Sequence, residues 1–222
     1  MSASNQQQVF EQSDYVGYSV PGPTDTVAFT VPHGLYNLWS GSAEITTPSR
    51  PLTANVSVRY GASPIFAEAA EGRQLSVETE VNWRPTTALR LNALWTHQTL
   101  DRARDGSRFA TADIPRLKVE YQLARSIFVR YIGQYFAQEQ AAPLDPRTGE
   151  PLLVDELLAP GAVASTIREF RSDVLFSYKP TPGTIVLLGY GATLSEPRAF
   201  RFADLHRESD GIFAKISYLF RM

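Results

Sequence analysis

The sequence predicts an all-β fold, an antiparallel up-and-down transmembrane β-barrel of about ten strands, and three observations predict it. Apolar and polar residues alternate along most of the chain from Leu52 onward, while helical periodicity is hard to find. The connections between the alternating runs are tight and long in turn. Aromatic residues gather beside the tight connections or the C-terminus.

Residues 1–33 form an irregular N-terminal segment, and residues 34–222 hold the barrel strands. In the first part, "VFEQSDYVGYSV" and "DTVAFTV" are strand candidates, broken apart by "PGPTDT" and "VPHG". From Leu35, "LYNLWSGSAEITTP" reads as a strand entering the "SRP" turn. Nine strands follow from there, and one N-terminal candidate supplies a tenth.

In "LTANVSVRY", Leu52, Ala54, Val56, Val58 and Tyr60 fall opposite Thr53, Asn55, Ser57 and Arg59. "LSVETEVNW" sets Leu75, Val77, Val81 and Trp83 against Ser76, Glu78, Glu80 and Asn82. "RLKVEYQL" sets Leu117, Val119, Tyr121 and Leu123 against Arg116, Lys118, Glu120 and Gln122, and "FVRYIG" carries Val129 beside Arg130. Further on, Phe170, Val174, Phe176 and Tyr178 oppose Glu169, Arg171, Asp173 and Ser177. The last run opposes Ile212, Ala214, Ile216, Tyr218 and Phe220 to Lys215, Ser217 and Arg221.

Tight turns are "TTPSRPL", "RPTTAL", "LARSI" and "KPTPGTI". The long polar connections are "GASPIFAEAAEGR", "DRARDGSRFATADI", the stretch from Ala137 to Ser165, and "SEPRAFRFADLHRESD". A meander with all its tight turns at one end matches the short periplasmic turns and long outer loops of a membrane barrel. The runs of about nine to twelve residues match too, since a tilted strand crosses an apolar band of roughly 25 Å in about ten.

This orientation assigns Val56, Val81, Val119, Val129 and Val174 to lipid, with Trp83, Tyr121, Tyr178 and Tyr218 at the lipid interface. Arg59, Glu78, Glu80, Arg116, Lys118, Glu120, Arg130, Glu169, Arg171, Asp173 and Lys215 then face the lumen. Their mixed signs suit cross-strand ion pairs in a narrow or plugged lumen better than a selective pore.

Composition excludes several other classes. The 222 residues carry a formal charge of only −2 with no block of like charge, so nucleic acid is not an expected partner. Cysteine is absent, which removes disulfides, thiol catalysis and thiolate metal sites. No apolar run is long enough for a transmembrane helix, and a barrel needs none. "MSASNQQQVFEQSD" is not a signal peptide, so an exported chain that begins this way is expected to be mature, truncated or mis-started.

No nucleophile elbow is present, and "GYGATL" at Gly189 lacks the third glycine of a dinucleotide fingerprint. His33, His97 and His206 lie in separate segments without metal spacing. "LDPRTGEPLLVDE" gathers Asp145, Glu150, Asp155 and Glu156 without the alternate-position ligands of a calcium loop. No cofactor is expected.

The segments "TTPSRPLTANVSVRYG", "VNWRPTTALRLNALW", "FVRYIGQY", "SYKPTPGTIVLLGYG" and "DGIFAKISYLFRM" together resemble the C-terminal barrel half of a bacterial outer-membrane family of uncharacterised function. Full-length members of that family place a domain similar to carbohydrate-binding family nine ahead of a large β-barrel. The resemblance covers roughly residues 34–222, and the residues before Gly34 are too few for such a domain. It implies a location in the bacterial outer membrane and a wall that either closes by itself or is the C-terminal part of a larger barrel. The last strand, with Ile216, Tyr218 and Phe220 at alternate positions, resembles the signal read by the barrel-assembly machinery, although its last aromatic lies two residues before the end.

The functional expectation is a non-catalytic, structural or porin-like barrel protein with outer-membrane lipid as its partner and an unidentified solute. Two alternatives stand beside it. A soluble β-sandwich or lipocalin-like binding module would show the same alternation with its apolar face turned inward. An outer-membrane hydrolase would work at the barrel rim through His97 and an acidic loop residue.

Overall fold

A computed structural model describes residues 1–22, 25–47, 49, 51–155, 162–181 and 183–218. Phe220, Arg221 and Glu156, singled out above, lie outside them. The strands are β1 (Ser2–Gln8), β2 (Tyr18–Pro21), β3 (Thr26–Ala28), β4 (Tyr36–Thr46), β5 (Leu52–Ile65), β6 (Ala70–Trp83), β7 (Leu89–Arg102), β8 (Arg108–Ala124), β9 (Ile127–Gln140), β10 (Leu153–Val154), β11 (Ser165–Tyr178), β12 (Thr184–Ser195) and β13 (His206–Tyr218). Ten of them make one antiparallel sheet in the order β1-β4-β5-β6-β7-β8-β9-β11-β12-β13, an up-and-down meander. The other three form a small sheet in the order β10-β2-β3. Among the described residues the large sheet is open, with β1 and β13 each hydrogen-bonded along one side only.

The nine strands expected from Leu35 onward are present, but the tenth is neither N-terminal candidate. "SASNQQQ" pairs with β4 through Ser2 to Ser42 and Gln8 to Tyr36, and Ser2 and Ser42 share a hydroxyl hydrogen bond of 2.8 Å. The candidates instead supply β2 and β3. So the irregular segment 1–33 contributes both a strand of the large sheet and most of a second, small unit.

Two connections expected to be long are tight. β5 runs on to Ile65 and β6 starts at Ala70, so a 3-10 turn over Phe66–Glu68 and a left-handed Ala69 join them. β7 extends to Arg102 and β8 starts at Arg108. In both cases the alternation continues into residues whose polarity suggested loop, and the backbone keeps pairing: Pro64 opposite Glu71, and Leu100 opposite Ala110. The strands accordingly reach 14 residues in β5, β6, β7, β9 and β11, and 17 in β8. At about 3.3 Å per residue and a tilt near 40°, 14 residues rise roughly 35 Å, more than an apolar band of about 25 Å requires. The four tight turns named from the sequence do share one end of the sheet.

The buried apolar core lies beyond the other end. Phe10, Tyr15, Tyr18, Phe29, Val31, Leu152 and Ala162 pack with Ala69 of the β5–β6 turn. Their rings meet edge to face, with Tyr15 and Tyr18 centroids 5.1 Å apart. Tyr15 Oη donates to the carbonyl of Phe66 at 2.7 Å, fixing this cap to the turn, and burial foremost raises the Tyr15 phenol's pKa far above its usual value. A buried ion pair completes the join: Arg102 grips Glu68 at 2.6 Å and the Ala142 carbonyl at 2.8 Å, while Leu144 N donates to Glu68 at 2.9 Å. Removing one partner of such a pair leaves an unpaired buried charge, at a cost of about 3–5 kcal/mol.

Candidate functional site

Register sorts the large sheet into two chemically different faces. On one, Ala54 lies opposite Val81, Val81 opposite Ala93, Ala93 opposite Leu117, Leu117 opposite Gly133, and Gly133 opposite Ser172. On the other, one residue away, Asn55 opposes Glu80, followed by Leu94, Arg116, Gln134, Arg171 and Thr193. Because side chains alternate strictly along a strand, these two rows fix the face of every neighbour.

Val56, Val81, Val119, Val129 and Val174 all fall on the apolar face, together with Trp83, Tyr121, Tyr178 and Tyr218. Arg59, Glu78, Glu80, Arg116, Lys118, Glu120, Arg130, Glu169, Arg171, Asp173 and Lys215 all fall on the polar face. Among the described residues of β4 to β9, β11 and β12, the apolar face carries no Asp, Glu, Lys or Arg between the tight-turn end and the level of His97; on the edge strand β13, Asp210 falls within this zone opposite Ala192, and the Tyr190 hydroxyl donates to it at 3.2 Å. The uncharged zone is nine residues tall on β11, from Phe170 to Tyr178, or about 23 Å at a tilt near 40°.

Much of this zone is open. Trp83, Trp95, Leu117 and Tyr121 are each more than two-fifths exposed, and Ile216 on the edge strand is 75% exposed. Above the zone the same face turns polar: His97 Nδ1 meets Asp113 Oδ1 at 2.8 Å, and Arg168 Nη2 meets Glu139 Oε1 at 2.5 Å. His97 therefore stands on the apolar side, its ring beside Trp95, and its acidic neighbour is a strand residue of β8 rather than one of a loop.

The polar face is held together differently from the expectation. Its ion pairs run along single strands, Lys118 to Glu120 at 3.2 Å and Arg171 to Glu169 at 3.0 Å. Links across strands come from asparagine, Asn92 to Glu80 at 2.7 Å and Asn55 to Glu44 at 2.6 Å. Charged partners opposite one another, such as Glu120 between Arg90 and Arg130, are in register without an ion-pair contact among the described residues. Two adjoining hollows of about 270 and 520 Å³ cross this face and share Gln74 and Gln98, with Gln138, Gln140, Ser42, Ser57 and Ser76 around them. Lower down, the Phe213 ring lies flat on Gly189, where an added Cβ would stand 1.9 Å from Phe213 Cε1.

The described part of the acidic loop shows no shared ligand set. Asp145 is buried and spent on its own turn, accepting from Arg147 N at 2.9 Å, and no group of three acidic or histidine side chains suited to a metal occurs among the described residues. The residues that sequence reasoning missed are in the β12–β13 connection. There Glu196 accepts from Phe202 N at 2.8 Å and from the Tyr135 hydroxyl, and Phe200 and Phe202 pack on Tyr135 with centroids at 4.4 and 5.6 Å. Burial alone would raise the Glu196 carboxyl, yet these hydrogen bonds outweigh it and hold its pKa below the usual value. No sequence spacing links Tyr135 with Glu196; only folding does.

Compared with protein-family models, with curated proteins and with solved structures, the chain matches none.

Proposed function

We propose that the chain is wall of a bacterial outer-membrane β-barrel, structural or porin-like and non-catalytic, with lipid against the apolar face and solute against the polar one. The carrying observation is the largely uncovered apolar face, free of charge over the zone on every described strand of the sheet except the edge strand β13. A soluble single-layer sheet of this width would leave far more than the few hundred Å² of contiguous apolar surface that soluble monomers tolerate. A β-sandwich would cover it with a second sheet; the buried core instead sits in the cap. The height of the zone suits the apolar band of outer-membrane barrels, and Trp83, Tyr121, Tyr178 and Tyr218 stand at one margin of it, where interfacial aromatics belong.

Hydrocarbon offers no hydrogen bonds to a sheet edge, so in a membrane β1 and β13 must either meet each other or pair with further strands. The free edge of β13 is the natural contact for the barrel-assembly machinery. The resemblance to the outer-membrane family supports the same location. Membrane fractionation with an alkaline wash tests this function: the protein should stay with the membrane until detergent is added. Recovery as a monodisperse species in buffer alone would favour the soluble module.

A further inference from the structure

The connection from β12 to β13 folds back onto the apolar face, and it is built to do so. Arg168 ties its start through the Pro197 carbonyl at 2.7 Å, Glu196 gathers its amides, and Phe202 wedges against Phe170 with centroids 5.8 Å apart. Phe200 and Phe202 both have positive φ, 61° and 54°, a conformation that is costly for bulky residues and persists only where the surroundings impose it. Below Phe202 opens an apolar groove of about 530 Å³, floored by Gly133 and walled by Trp95, Leu117 and Phe170. The Tyr131 hydroxyl already lies over Gly133, where a Cβ would come within 2.7 Å of it, so a larger residue there would displace the Tyr131 ring.

Two arginines alternate with the two phenylalanines in "PRAFRF". Arg198 and Arg201 are exposed, and their guanidinium groups have no partner among the described residues. Rings on an apolar face with free cations between them, at the level where that face turns polar, match the two parts of a phosphorylated lipid. We propose that this loop and groove form a site for one phosphorylated membrane lipid, an acyl chain lying between Trp95, Leu117 and Phe202 and the phosphate meeting Arg198 and Arg201. The site rests on the membrane reading above. Arginine suits the phosphate because its fork donates two parallel hydrogen bonds.

The test uses Trp95 as reporter. Trp39→Phe and Trp83→Phe leave it the single tryptophan, and the protein is reconstituted in phosphatidylcholine vesicles that contain either brominated phosphatidylglycerol or brominated phosphatidylcholine at equal mole fraction. The phosphorylated-lipid site predicts a local preference of about fivefold for the anionic probe, read from quenching of Trp95. Arg198→Ala with Arg201→Ala, both on an exposed loop, should abolish the preference, and the two Arg→Lys changes should retain part of it. Equal quenching by both probes in the parent, or a preference that survives the alanines, overturns the site while leaving the membrane reading intact. Quenching by neither probe overturns both.

Discussion

The two faces of the large sheet share the same strands, the same hydrogen bonds and the same register, yet one carries charge at nearly every level and the other, among the described residues, carries over about 23 Å only Asp210 on the edge strand. Backbone physics cannot make that difference, since it treats both faces alike. A difference in medium can. Where water touches a strand, ionised side chains are cheap; where hydrocarbon does, an arginine or lysine near midplane costs about 2–4 kcal/mol. The sharpest way to break the comparison uses neighbours on β8. Val119→Arg should lower stability in lipid vesicles by about 2–4 kcal/mol, measured by urea unfolding, whereas Glu120→Arg, which adds a cation among Lys118, Arg90 and Arg130, should cost about 1 kcal/mol or less. Equal losses would mean that both faces meet the same medium.

Charge tolerance on the polar face is not shape tolerance. Gly189 lies under the Phe213 ring, so Gly189→Val must push that ring off the strand, at an expected cost of about 1–3 kcal/mol in the same unfolding assay. Phe213→Ala in the same chain should recover part of the loss, because the obstruction is then gone. Additive losses would show that the ring does not depend on the glycine. A smaller effect is expected for Lys118→Ala, which removes a partly exposed ion pair along one strand: about 0.2–1 kcal/mol. A loss above that range would point to a drier polar face than the hollows beside Gln74 and Gln98 suggest.

What was legible in the sequence follows the same division. Alternation of Val, Leu and aromatic residues with Arg, Glu and Lys placed every lipid and lumen candidate on one of two opposite faces, because a period of two is a local property. "SASNQQQ" was not legible as a strand, since it is polar on both faces and its pairing comes from β4, some thirty residues away. Polarity also ended β5 too early and started β8 too late, although hydrogen bonding to β6 and β7 carries both on. The apolar face's ion pairs, His97 with Asp113 and Glu139 with Arg168, needed the register between strands, which no single run contains. The cap's core is illegible for a related reason: Phe10, Tyr18 and Leu152 converge from segments with no shared period.

The weakest expected effect concerns the upper margin of the apolar face, at the loop that Glu196 holds against Tyr135. The folded-state pKa of Glu196 lies below its usual value of 4.5, chiefly because Tyr135 and the amides of Phe202, Arg201 and Phe200 donate to the ionised form against the opposing effect of burial. A carboxyl with a depressed folded pKa contributes stability that is complete above its unfolded pKa and is lost as pH falls through the folded one. Protonation removes the charge that draws those donors together, and the strained φ of Phe200 and Phe202 then favours release. Hydrogen exchange, corrected for the intrinsic rate, should show the Phe202 amide losing protection as pH falls from about 6 to about 3 while amides in the middle of β9 keep theirs. Glu196→Gln should give low protection at both pH values. Protection of Phe202 that stays constant across the range in the parent would mean that the rings alone hold the loop, and the apolar face would then need no acidic clasp at its upper margin.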